Sequence, residues 1–188
     1  GLNTGGMGAV SPVPFFNEEL KLKTIRDVVE PTIKGLKKQK LNYRGFVFFG
    51  LIVVNNDPFV IEYNVRMGDP ETEVVIPRLA ESLSQLIVDA KNGQLTNRIA
   101  AANPAFATTV FAVSGGYPED YAKDKVITIN EASETLFHAG TKMVGDALLT
   151  SGGRVLEATC YGATMREALN ASYKGVESVI FEGKYYRK

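Results

Sequence analysis

Residues 45–73 read GFVFFGLIVVNNDPFVIEYNVRMGDPETE, and the fold of the first part of the chain follows from that run. Gly45 to Val54 is too apolar to be anything but a buried strand. Asn55-Asn56-Asp57-Pro58 signals a turn, and Phe59 to Val65 returns as a second strand, so the two are expected as a β-hairpin. Successive side chains of an extended segment point to opposite faces. Ile61, Tyr63 and Val65 therefore share one face, and Glu62, Asn64 and Arg66 share the other. Glu62 and Asn64 then lie roughly 6.5–7 Å apart along the strand, close enough for their oxygens to hold one hard cation. Arg66 stands next in line for a phosphate or acyl phosphate bridged by that cation. A merely solvated strand face would show the same alternation. Beyond it, Gly68-Asp69-Pro70 signals a turn, and Glu71-Thr72-Glu73 sits where a helix begins, with Asp69 placed to cap it and a proline at its start. An acidic helix start suits the helix dipole, which accounts for Asp69, Glu71 and Glu73 but not for Arg66 beside them.

On the N-terminal side, residues 1–14 are rich in Gly and Pro and read as a loop. A helical pattern runs from Asn17 through Leu20, Ile25, Val28 and Val29 to Pro31, and a second from Pro31, which suits a first turn, to Lys40. On the C-terminal side, Val75, Leu79, Leu83, Leu86, Ile87 and Ala90 mark one or two helices between Val74 and Lys91, ended by Asn92-Gly93. After Asn103-Pro104 the character changes. Short β-rich runs follow at 107–114, 125–129, 136–139, 144–150 and 154–161, separated by glycine turns. One helix, 165–178, leads into Val179-Ile180-Phe181. The expected fold is α/β (α+β). Residues 1–103 form a lobe with a hairpin-bearing sheet and helices on one side. Residues 104–188 form a small β-rich barrel or sandwich with one helix.

Lysine plus arginine and aspartate plus glutamate both number 21, so the net charge is zero. That gives no basic excess for nucleic acid or an anionic membrane. No run approaches the length of a membrane span, and Gly-Leu-Asn-Thr-Gly-Gly-Met-Gly is no signal peptide. The single cysteine, Cys160, excludes an intrachain disulfide and fits a reducing cytoplasm. The chain lacks an initiator methionine and reads as a piece of something larger.

Thr4-Gly5-Gly6-Met7-Gly8 is glycine-dense enough for backbone to approach an anion closely, or it is a plain flexible loop. It has neither the Gly-Lys-Ser/Thr of a P-loop nor the strand-to-helix setting of a dinucleotide fingerprint. His138 is the sole histidine and reads as a structural hydrogen-bonding residue. With one His and one Cys, neither a zinc site nor a Cys–His nucleophile is expected, and an oxygen-only site points to magnesium or manganese.

Asn3-Thr4-Gly5-Gly6-Met7-Gly8-Ala9, Arg66-Met67-Gly68-Asp69-Pro70-Glu71-Thr72, His138-Ala139-Gly140-Thr141 and Gly152-Gly153-Arg154-Val155-Leu156 follow one another in that order. Together they closely resemble the C-terminal half of the phosphoribosylamine–glycine ligases (glycinamide ribonucleotide synthetases) of the ATP-grasp superfamily, over essentially all 188 residues. The resemblance implies ATP-dependent joining of glycine to 5-phosphoribosylamine through glycyl phosphate, in purine biosynthesis. It implies Glu62 and Asn64 as ligands of Mg2+ or Mn2+, and Arg66 as the residue that steadies the transferring phosphoryl group. Asp69 becomes a candidate for the glycine ammonium. Asn3, Thr4, Gly5, Gly6 and Gly8 become candidates for contact with glycine, phosphoribosylamine or both. It also implies a missing N-terminal half carrying most of the adenine clamp, without which this chain is expected to be inactive. Met67, Glu73 and Leu2 depart from the family pattern, and Glu73 alone adds charge near the site. Two rival readings are an ATP-grasp enzyme with another acyl acceptor and a non-catalytic assembly module. For Gly152-Gly153-Arg154 a tight turn with a solvated arginine is the competing reading.

Overall fold

The computed structural model describes residues 2–130 and 135–188. Its elements are β1 (Gly8–Ser11), α1 (Glu18–Thr24), α2 (Glu30–Lys38), β2 (Phe48–Val54), β3 (Asp57–Asn64), α3 (Thr72–Val75), α4 (Leu83–Asn92), β4 (Phe106–Val113), β5 (Thr128–Ile129), β6 (Thr135–His138), β7 (Thr141–Val144), β8 (Ala147–Thr150), β9 (Arg154–Gly162), α5 (Met165–Ser178) and β10 (Val179–Ile180). The class is α/β, as the sequence implies. The chain forms two compact units. One takes the N-terminal segment through Ser11, then Asp69–Arg78 and Asn103–Lys188; the other takes Pro12–Gly68 and Leu79–Ala102. Asn103 opens the last segment of the first unit.

The core of the first unit is an antiparallel sheet in the order β1-β4-β9-β6, with α5 packed against β4 and β9. The described strands of this sheet form no closed barrel. β4 and β9 are buried on both faces because they are the central strands. Val110, Ala112, Val155, Leu156, Ala158, Val176 and Val179 form the main cluster between sheet and helix. Burying each large aliphatic side chain there contributes about 1.5–3 kcal/mol. β1 lies in the stretch expected as loop. It pairs with β4 from Gly8↔Val110 to Ser11↔Ala107, completing an edge that its own composition does not announce. The run 144–150, expected as one strand, is broken: β7 ends at Val144, Gly145-Asp146 turns the chain with Gly145 at φ 58°, and β8 returns antiparallel to β7 from Thr141↔Thr150 to Val144↔Ala147. Glycine adopts that left-handed value without the penalty a Cβ brings.

In the second unit the expected hairpin is present. β2 and β3 pair from Phe48↔Asn64 to Val54↔Asp57 around Asn55-Asn56, both left-handed at φ 51° and 62°, the pattern of a tight two-residue turn. The two helical stretches are continuous through a wider π-type segment, Ile25–Val29, which ends one residue short of Pro31. Proline has no N–H to donate, and the wider turn absorbs that loss inside the helix. α1 is anchored to the hairpin turn: Lys23 Nζ reaches Asp57 Oδ1 at 2.9 Å and the Asn56 carbonyl at 3.1 Å. The 74–91 stretch is helical at its two ends, as α3 and α4, and Pro77 interrupts it. No helix among the described residues is long and apolar enough to cross a membrane.

Candidate functional site

In the second unit, β3 carries Glu62 and Asn64 on one face. Asn64 Nδ2 donates to Glu62 Oε1 at 2.9 Å, so the two side chains meet as the strand period requires. The register shifts beside them, with Gly50 opposite Glu62 and Leu51 opposite Val60. Gly50 makes room for the carboxylate, since a Cβ there would lie 2.8 Å from Glu62 Cγ. Arg66 continues past the strand end, and its Nη1 donates to the Met67 carbonyl at 2.9 Å. Ile61, Tyr63 and Val65 are all exposed in this chain, Val65 at 73%.

In the first unit a different set converges. Arg154 sends Nη1 to Asp69 Oδ1 at 2.9 Å and Nη2 to Asp69 Oδ2 at 2.8 Å, a two-pronged ion pair. Nη1 also donates to the Gly6 carbonyl at 3.1 Å. The guanidinium lies 4.9 Å from the centre of the Phe111 ring. Arg154 is therefore not a solvated turn residue. Nor does Asp69 cap the helix: α3 begins with Glu71 at its N-cap position and no side-chain cap bond. The Asp69 carboxylate is engaged by Arg154 instead.

The glycine-rich segment is fastened to the same place. Met7 is buried with Phe111 and Val113, against which Tyr117 packs. Gly5 N–H donates to Tyr117 Oη at 3.0 Å, so that amide is already used within the protein. A Cβ on Gly6 would fall 2.3 Å from Pro70 Cδ, and one on Gly153 would fall 2.2 Å from Tyr117 Cδ2. These glycines serve close packing of segment, turn and ring. Asn3 is exposed and Thr4 half-buried. His138 is also exposed, and its Nδ1 lies 3.0 Å from Thr141 Oγ1, a local turn contact.

Beside the ion pair stand two more carboxyl groups. Oxygens of Asp69, Glu73 and Glu157 lie within 4.8 Å of one another. Glu157 is 2% exposed and accepts from Thr109 Oγ1 at 3.0 Å. Burial, followed by the charge of Glu73, pushes its pKa up to about 8. Burial likewise raises Glu73, whose Oε2 is enclosed without a hydrogen-bond partner.

Residues 1–72 match the phosphoribosylglycinamide synthetase ATP-grasp (A) domain, and residues 107–188 match the C domain of the same synthetase. The phosphoribosylamine–glycine ligase of Chlorobaculum tepidum is 40% identical over 193 aligned positions, covering 100% of this chain and 45% of the relative. The crystal structure of the Thermotoga maritima phosphoribosylamine–glycine ligase superposes with a TM-score of 0.89 at 37% identity, over 100% of this chain and 46% of that one. The chain belongs to the phosphoribosylglycinamide synthetase family. It spans less than half the length of these relatives. The Kluyveromyces lactis urea carboxylase shares the fold alone, with a TM-score of 0.69 at 12% identity over 96% of this chain and 16% of that one.

Seen within the phosphoribosylglycinamide synthetase family, the first unit joins residues of both matched segments: Gly5, Gly6 and Asp69 from one, Tyr117, Arg154 and Glu157 from the other. Sequence reasoning missed Glu157 and Tyr117. The signal for Glu157 was a lone carboxylate inside the otherwise uncharged run Val155-Leu156-Glu157-Ala158-Thr159-Cys160. Tyr117 carries no comparable mark.

Proposed function

We propose that this chain is the C-terminal part of an ATP-dependent ligase that joins glycine to 5-phosphoribosylamine, giving glycinamide ribonucleotide, ADP and phosphate. The observation that carries the reading is similarity to such ligases over the whole of this chain, at 40% and 37% identity, where a carboxylase shares only the fold at 12%. In the same proposal residues 1–103 belong to the ATP-grasp catalytic domain and residues 104–188 to a separate C-terminal domain. The setting is cytoplasmic, without nucleic-acid or membrane partners.

Glu62 and Asn64 fit a hard divalent cation. A carboxylate and an amide side chain, joined by the Asn64 Nδ2 to Glu62 Oε1 bond, share one strand face and each carries an oxygen to offer, and such ions take one or two protein oxygens and complete their shell with phosphates and water. Bound there, Mg2+ or Mn2+ would neutralise negative charge where a carboxylate approaches a triphosphate. Arg66, two residues further on, offers a fork of N–H donors to the phosphoryl oxygens during transfer. Glycine's carboxylate takes the terminal phosphoryl group of ATP. The amine of phosphoribosylamine then attacks the acyl carbon, and phosphate leaves. Asp69, anchored by Arg154, presents an anion to the glycine ammonium, and the segment Asn3 to Gly8 borders glycine, phosphoribosylamine or both.

The test is ADP release by the complete protein, supplied with magnesium, glycine and phosphoribosylamine. Release is expected to need both substrates and to vanish in Glu62→Gln/Asn64→Ala. Release indifferent to glycine would favour an ATP-grasp enzyme with another acceptor. The 188 residues alone are expected to release none.

A further inference from the structure

We propose that Arg154 is a positioning residue, holding the Asp69 carboxylate and the Gly6 carbonyl in the one arrangement in which Asp69 can receive the ammonium group of the amino-acid substrate. The inference rests on the ligase reading above and extends it to a residue that does not touch the substrate. Three features of the geometry carry it.

First, the guanidinium fork takes both oxygens of Asp69, at 2.9 and 2.8 Å, which fixes the carboxylate in both position and plane. A carboxylate has about four acceptor positions; the fork uses two. With its side chain 52% exposed, Asp69 keeps the others open to an incoming N–H donor. Second, the same Nη1 holds the Gly6 carbonyl at 3.1 Å, so the Thr4 to Gly8 segment and the Asp69-Pro70 turn are set by one group. That group is itself placed by the Phe111 ring beneath it, and its side chain is only 23% exposed. Third, the local charge requires it. Glu73 and Glu157 lie within 4.8 Å of Asp69. Without the guanidinium, Asp69 would be repelled by any of these that ionises and would turn toward solvent. Lysine cannot replace the arrangement, because a single ammonium does not span both oxygens in one plane.

A purely structural tie would cost stability and disturb every substrate alike, whereas a positioning role is selective. The experiment uses the complete protein, comparing wild type with Arg154→Lys, Arg154→Gln, Asp69→Asn and the pair Arg154→Lys/Asp69→Asn. Readouts are KM for glycine, KM for MgATP, kcat and the thermal midpoint. KM for glycine is expected to rise at least tenfold in both Arg154 variants, while KM for MgATP changes less than twofold. The double variant is expected to be no worse than Asp69→Asn alone, because Arg154 acts through Asp69. An unchanged KM for glycine in Arg154→Lys and Arg154→Gln overturns the inference. Equal rises in both KM values with a lowered midpoint, or multiplied effects in the double variant, also overturn it. Glycine-dependent turnover in wild type separates these outcomes from failure of the ligase reading. ADP release indifferent to glycine in wild type overturns both.

Discussion

Glu157 sits 2% exposed on the central strand β9, facing Glu73 and Asp69, with Arg154 nearby and Thr109 donating to it. Its folded pKa of about 8 stands well above the ordinary 4.5. Between those values the folded protein holds a proton that the unfolded chain has lost. The stabilisation is therefore complete below about pH 4.5 and is lost progressively as pH rises through 8. Each pH unit in that window costs up to about 1.4 kcal/mol. Glu73, raised in the same direction, adds to the slope. Glu157→Gln cannot ionise, so its thermal midpoint is expected to fall much less than that of wild type between pH 5 and pH 8. Parallel declines in the two proteins would contradict the assignment. At this scale the sequence disclosed what depends on neighbours along the chain. Glu62 and Asn64 share a face because a strand has a period of two. The pairing of Arg154 with Asp69 is 85 residues apart in sequence and leaves no local trace.

Elements were legible where their own residues decide them. The β2–β3 hairpin is written in an apolar run, an Asn-Asn turn and a second strand. Helix α5 stands where the run 165–178 predicts it, and the structure adds a cap: Thr164 Oγ1 accepts from Glu167 N–H at 3.2 Å, and Glu167 Oε2 accepts from Thr164 N–H at 3.2 Å. α5 buries Ala168, Ser172, Gly175 and Val176, and Ser172 Oγ meets Thr108 Oγ1 at 2.7 Å. Loss of the cap therefore loosens the helix that covers the main sheet. Thr164→Ala is expected to cost about 1 kcal/mol, seen as a lower denaturant midpoint with an unchanged slope. No loss of stability would mean that the cap bonds contribute nothing net. Elements decided by distant partners were hidden. β1 exists because the edge of β4 accepts it, and the run 144–150 reads as one strand because Gly145-Asp146 is a short interruption between Val144, the end of β7, and β8. Pro31 read as a helix start, but the π-type turn before it lets the helix continue.

At the scale of the molecule, a compact unit assembled from three separate stretches of chain cannot be read from a linear change of character near residue 103. Arg78 shows how such a unit is closed. Its guanidinium donates to Ser11 Oγ at 2.7 Å, to the Asn103 carbonyl at 2.7 Å and to the Ala105 carbonyl at 2.8 Å, gathering all three stretches. Family motifs were legible because they are local in sequence, and they led to the same family that the domain matches give. The central claim is that the complete protein activates glycine as an acyl phosphate. The most direct measurement supplies glycine carrying 18O in both carboxylate oxygens, with ATP, magnesium and phosphoribosylamine, and reads the mass of the released phosphate. One 18O per phosphate is the result this account predicts, because the oxygen that attacks ATP departs with the phosphoryl group. Unlabelled phosphate from glycine-dependent turnover would contradict it.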